Sequence, residues 1–138
     1  MNELEREQAK LNKLAEKNQG RVAVILEGRD TAGKTGTIRT VTQYLNPAWY
    51  SVCLSSKPSE SEMNHWLASW GRKLPAENQI VFYDRSWYSR ALVQPVNDWC
   101  SDKQYSNFMA QVIAWENKKP ITFIKMWLSI SEVEQLNR

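Results

Sequence analysis

Between Gly28 and Thr35 the chain reads GRDTAGKT, with two glycines five positions apart and a lysine and a hydroxyl residue directly after the second. This is the spacing G-x-x-x-x-G-K-[ST], and its chemistry is that of a cradle for linked phosphates. The glycines let successive backbone N–H groups turn inward, and a helix starting there adds positive potential. Lys34 can reach a phosphate oxygen, and the Thr35 hydroxyl can ligate Mg²⁺. Gly28, Arg29, Ala32, Gly33 and Gly36 complete the phosphate-binding stretch.

Asp30 lies inside this loop, where a carboxylate facing an anionic ligand is costly unless a cation lies between them. It is therefore assigned to a metal or to orienting an acceptor phosphate. A second carboxylate, Asp84, follows the apolar run "IVFY" and suits the metal-holding position at the end of a strand. Arg85 beside it can neutralise charge on a transferred group. Lys57, Arg29, Arg39 and Arg90 extend a positive lining suited to a long polyanion. The single histidine, His65, has no metal-ligand spacing around it and reads as a structural or surface residue. No acid–base or nucleophile triad emerges, which suits phosphoryl transfer, where positioning and charge neutralisation dominate.

Positioning these residues requires strands and helices in alternation. Arg21–Leu26 is a short β-branched run, the pattern of a strand covered on both faces. It leads into the glycine loop, and Ile38, Val41 and Leu45 then recur at helical spacing until Asn46 and Pro47. Tyr50–Leu54 reads as a strand, and Ser59 with Glu62 opens a helix through a reciprocal cap, with Met63, Trp66, Leu67, Trp70 and Leu74 as its buried face. Gln79–Tyr83 is another strand, and Ser86–Leu92 can form a short helix. Ser101–Asn117 is a further helix, with Tyr105, Phe108, Met109 and Val112 on one side. Pro120–Leu128 is the fourth strand, and Ser131 with Glu134 starts one more helix.

Before all this, residues 2–18 suit a helix with Leu4, Leu11 and Leu14 on one side, so residues 1–20 are an N-terminal helical extension that lies across the domain formed by residues 21–138. The alternation implies an α/β fold with a parallel sheet between helical layers. Ligands of such sheets gather at the carboxyl ends of the strands, where Gly28–Thr35 and Asp84 both fall.

The chain has 138 residues, 42% of them hydrophobic, which supports one core and is short for two. A net charge of +3 suits an anionic ligand without calling for nucleic acid. Cys53 and Cys100 stand far apart, which argues for a reducing, cytoplasmic setting, and no apolar run approaches the roughly 18 residues that span a bilayer, so no membrane partner is expected.

The segments EGRDTAGKTGTI, SSKPS, FYDRSWYSRALV and IKMWLSIS, in that order, resemble the family-2 polyphosphate kinases, whose usual forms run close to EGRDAAGKGGTI, a Lys-Pro dipeptide, FDRSWYNRA and IKFWLSIS. The resemblance runs from Arg21 to Leu136. It implies a P-loop NTPase-like three-layer sandwich of thymidylate-kinase type. It also implies reversible, Mg²⁺-dependent transfer of a terminal phosphate between inorganic polyphosphate and a nucleoside mono- or diphosphate. Asp30 and Asp84 match the carboxylates that act on metal and phosphates, Lys34 and Arg85 the loop lysine and the Asp-Arg arginine, and Lys57 the Lys-Pro lysine. A homo-oligomer is left open.

Three departures stand out. Thr35 replaces a common glycine, a change toward the general P-loop form. Gln94 and Pro95 stand where Glu followed by a basic residue is frequent, altering a polar contact on the nucleotide side. The chain also stops before the family's basic helical lid, which implies an incomplete C-terminal part, slower transfer and exposed apolar surface. Two other readings compete: an ATP-dependent nucleotide kinase of thymidylate-kinase type, and a catalytically inactive phosphate-binding subunit.

Overall fold

Alternation of side chains between the two faces of the central strands fixes the architecture. In the computed structural model, which describes residues 1–28 and 33–129, β1 (Val22–Gly28) points Ala23 and Ile25 to one side and Leu26 to the other. Next to it β3 (Ile80–Asp84) divides the same way, Val81 and Tyr83 against Ile80 and Phe82. With β2 (Tyr50–Leu54) and β4 (Thr122–Leu128) they form a parallel sheet in the order β2-β3-β1-β4. Both central strands are thus covered on two faces, which is why their sequences are almost wholly apolar.

One face carries α1 (Glu3–Lys17) and α2 (Lys34–Thr42), through Ala15 and Ile38, joined by Leu45 just beyond α2. The other carries α4 (Trp66–Gly71) and α6 (Asp102–Asn117), whose Trp66, Trp70, Phe108 and Val112 close around Trp87. Trp87 is fully buried, with the rings of Tyr83, Trp115 and Phe123 at 5.4, 5.3 and 5.8 Å, mostly edge to face. Removing its side chain would cost about 3–5 kcal/mol. The anchor of this core therefore sits three residues beyond Asp84. The fold is the expected α/β sandwich.

Several expectations shift. The helix expected from Ser59 to Leu74 is broken at His65, whose φ of −133° and ψ of 54° divide α3 (Glu60–Asn64) from α4. His65 is exposed, its ring Nδ1 3.2 Å from the Ser61 carbonyl. The reciprocal caps at Ser59/Glu62 and Ser101/Gln104 are both formed. Helix α2 ends at Thr42, and α5 (Ser89–Leu92) begins after the turn Ser86–Tyr88 rather than at Ser86.

Helix α1 does not use Leu4 and Leu14, which are exposed; its inner stripe is Gln8 and Ala15, with Leu11 half-buried. The small Ala15 lets the helices approach, and the Gln8 side-chain amide donates to the Thr40 carbonyl at 2.7 Å. On α6 the buried ridge is Phe108, Val112 and Glu116, while Tyr105 and Met109 face outward. In β4, Ile124, Met126 and Trp127 are exposed. The helix expected from Ser131 lies outside the described residues. Among the described residues, no helix is long and apolar enough to cross a membrane.

Candidate active site at the carboxyl ends of β1 and β3

Register places the chemistry. Leu26 pairs with Asp84 and Gly28 with Leu128, so the end of β1 lies between the ends of β3 and β4. Gly28 has φ +150°, and a Cβ there would overlap the Leu128 carbonyl, so only glycine fits. Gly33, at φ +97°, caps α2 in a left-handed conformation, and its carbonyl accepts the Thr37 N–H at 2.8 Å. Arg29, Asp30 and Ala32 lie outside the described residues.

Lys34 is buried and its Nζ donates to the Gly28 carbonyl at 3.0 Å, which turns the ammonium toward the end of β1. The Thr35 hydroxyl donates to Asp84 Oδ2. Two hard oxygen ligands thus meet at the start of a helix, a donor set that fits a divalent cation such as Mg²⁺. Among the described residues no group of three His, Cys, Asp or Glu side chains gathers. Mg²⁺ commonly keeps several waters and takes only one or two protein ligands. Among the described residues, nothing lies within 4 Å of where a Gly36 side chain would begin.

Arg85 follows in a left-handed conformation, φ +68°, its N–H donating to the Leu26 carbonyl at 3.0 Å. The next residue is held by Glu27, which sequence reasoning missed: its Oε1 accepts the Ser86 N–H at 2.7 Å and the Ser86 hydroxyl at 2.8 Å. Burial pushes the Glu27 carboxyl up from its ordinary value, against the opposing pull of the Ser86 bonds and the positive charges of Arg85 and Lys34. A carboxylate as the last side chain of an apolar strand was the available signal.

Beside these groups opens a cleft of about 710 Å³. Gly28, Lys57 and Arg85 line it, and so do Val96, Trp99 and the amides of Gln94 and Asn97. The Lys57 Nζ lies 5.3 Å from the Trp99 ring centroid, a cation–π arrangement. Gln94 is 1% exposed, and its amide N and O have no hydrogen-bond partner among the described residues.

The structure brings Gly28, Gly33, Lys34, Thr35, Asp84 and Arg85 to one edge and puts Lys57 in the adjoining cleft. It does not bring Arg90 there. Arg90 is 3% exposed, stacks on Trp66 at 4.8 Å, donates from one terminal nitrogen to the Met63 carbonyl at 2.6 Å, and lines a separate cavity of about 230 Å³. Burial pulls its guanidinium below the ordinary value. The basic residue chosen from sequence for this lining is instead packed into the core, because its neighbours Trp66 and Met63 supply a ring face and a carbonyl.

The family model described as polyphosphate kinase 2 matches residues 1–138. NDP-polyphosphate phosphotransferase 3 of Ruegeria pomeroyi is 39% identical over 142 residues, covering 100% of this chain and 47% of that protein. ADP-polyphosphate phosphotransferase of Pseudomonas aeruginosa is 39% identical over 136 residues, covering 96% of this chain and 45% of that protein. Among solved structures, polyphosphate kinase 2 from Arthrobacter aurescens TC1 superposes with a TM-score of 0.88 at 27% identity, over 98% of this chain and 52% of that one. The chain spans about half the length of the curated relatives it matches.

Proposed function

The chain belongs to the polyphosphate kinase 2 family, and from that premise we propose that it transfers a terminal phosphoryl group between inorganic polyphosphate and a nucleoside mono- or diphosphate. The observation that carries the reading is the Thr35–Asp84 contact, which makes the phosphate loop and the strand-end carboxylate one site. The names of the relatives, NDP- and ADP-polyphosphate phosphotransferase, support the same substrates.

In the forward direction, an oxygen of the acceptor's terminal phosphate forms a bond to the end phosphorus of polyphosphate. The bridging P–O bond behind it breaks, and a chain one unit shorter leaves. The attacking oxygen is already anionic, so no general base is required, in keeping with a site that holds cations and amides in place of a nucleophile triad. Lys34 and the loop amides bind phosphate oxygens, and Arg85, held by its own N–H to Leu26, neutralises charge on the group in flight. Asp84 and Thr35 would hold Mg²⁺, with Asp30 as a further metal ligand or as the group that orients the acceptor phosphate. When bound, the ion screens the repulsion between phosphates.

The cleft suits the nucleotide better than a second stretch of polyphosphate. Its lining combines two cations with Trp99, Val96 and two amides, a mixed surface that matches a phosphate joined to a flat, hydrogen-bonding base. Lys57 in this scheme binds acceptor phosphates. A cytoplasmic location belongs to the same proposal and accords with Cys53 and Cys100 being unbridged.

The test is to incubate the purified chain with a nucleoside diphosphate, polyphosphate and Mg²⁺ and to quantify triphosphate by chromatography. Triphosphate should form with the wild type and be lost in Lys34→Ala and Asp84→Asn, with circular dichroism unchanged. Full activity in either variant would remove that residue from the site.

A further inference from the structure

Consecutive residues of the turn after Asp84 are gripped by two different buried carboxylates. Glu27 takes both donors of Ser86. Glu116, in the last turn of α6 and 4% exposed, takes the next two residues: its Oε2 accepts the Trp87 indole N–H at 2.9 Å and the Tyr88 hydroxyl at 2.8 Å. Its Oε1 accepts from Lys125 Nζ of β4 at 2.6 Å, and Lys125 also donates to the Tyr88 hydroxyl at 2.9 Å. The Trp87 carbonyl in turn accepts the Trp66 indole N–H at 2.8 Å.

Burying a carboxylate among aromatic rings is a poor route to stability. Its desolvation cost rivals what the ion pair returns, and an apolar replacement of similar volume often does as well or better. What such a group supplies is geometry, because each of its bonds fixes a direction. Here the directions converge on the segment that begins with Arg85 in a left-handed backbone, a conformation that is costly for a non-glycine residue and must be imposed by its surroundings.

We propose that Glu116 is a positioning residue for Asp84 and Arg85: with Lys125 as its counter-ion, it fixes Trp87 and Tyr88 and so holds the turn that presents the two groups to the phosphates. The effect on turnover rests on the phosphoryl-transfer reading above. The mechanical part, that Glu116 restrains the turn, does not.

Two variants of the full chain test it, Glu116→Ala and Tyr88→Phe, the second removing one hydroxyl while leaving the ring and therefore the core. For each, kcat is expressed per folded molecule, with the folded fraction taken from denaturation curves. Both should lose about tenfold or more in kcat, with KM for the nucleotide changed by less than about twofold, and Glu116→Gln, which keeps an acceptor oxygen, should recover most of the loss. In hydrogen exchange, the Arg85 and Ser86 amides should exchange faster in the variants while those of Ala23 to Ile25 stay protected. A kcat per folded molecule equal to wild type would overturn the proposal, as would unchanged exchange at Arg85 and Ser86. If Glu116→Ala does not fold, Tyr88→Phe decides alone. If the wild type transfers no phosphate, the functional reading fails separately and the exchange data decide the role of Glu116.

Discussion

The Thr35 hydroxyl donates to the Asp84 carboxylate, joining the first turn of α2 to the last residue of β3. Thr35 stands where the family commonly has glycine, so in this chain an additional oxygen sits at the proposed metal position. Thr35→Val keeps the shape and removes the hydroxyl. The Mg²⁺ concentration for half-maximal transfer should rise by about tenfold, with the fold unchanged by circular dichroism. An unaltered Mg²⁺ dependence would take Thr35 out of the metal site.

Two glycines of the proposed phosphate-binding stretch should respond in opposite ways to the same change. At Gly28 an added Cβ meets the Leu128 carbonyl on a backbone that side chains rarely adopt, so Gly28→Ala should cost about 3 kcal/mol or more. At Gly36 nothing among the described residues lies within 4 Å of an added Cβ and the residue is helical, so Gly36→Ala should gain up to about 1 kcal/mol. Urea denaturation of the two variants measures both. If Gly36→Ala is stabilised yet loses activity, its bare Cα faces the phosphates.

Glu27 gives a pH signature. Its carboxyl is raised in the folded protein by burial, above the 4.5 of the unfolded chain. The folded state therefore binds the proton more tightly, and Glu27's contribution to stability is fully present below pH 4.5 and is lost as pH rises through the higher folded value. Glu27→Gln keeps an oxygen to accept both Ser86 donors and cannot ionise. Denaturation midpoints measured from pH 4 to 8 should fall less steeply for the variant than for the wild type. Parallel curves would mean that Glu27 ionises in the folded protein as it does in the unfolded chain.

Lys57 and Arg90 were equivalent candidates by sequence and are distinguished by place. Lys57→Ala removes a charge that lines the cleft and should lower kcat/KM about tenfold or more. Arg90→Met removes a buried guanidinium that no carboxylate pairs among the described residues; it should change kcat/KM by less than about threefold. Kinetics of the two variants side by side check this. The reverse ranking would return Arg90 to the phosphate site.

What the sequence made legible was whatever local rules decide. The apolar run before Gly28, the glycine spacing and the caps at Ser59 and Ser101 each rest on residues within a few positions of one another. What it hid depends on partners chosen across the fold. Helix α6 turns Phe108, Val112 and Glu116 inward because Trp87, Tyr88 and Lys125 draw the Glu116 carboxylate into the core. Helix α1 turns Gln8 inward because the Thr40 carbonyl receives it. Glu27 and Arg90 are of the same kind, charged residues whose burial is decided by Ser86 and by Trp66 with Met63. Spacing rules place charged and polar residues outside, so Arg90 was read as ligand-facing and Gln8, Glu27 and Glu116 were not singled out.

The measurement that bears most directly on the account is the choice of donor. The wild-type chain is given a nucleoside diphosphate and Mg²⁺ with either polyphosphate or ATP as the phosphoryl source, and the labelled product is followed over time. Polyphosphate should sustain triphosphate formation with concurrent shortening of the chain, and ATP should be far less effective. Transfer from ATP with none from polyphosphate would contradict the account, and so would tight polyphosphate binding without any transfer.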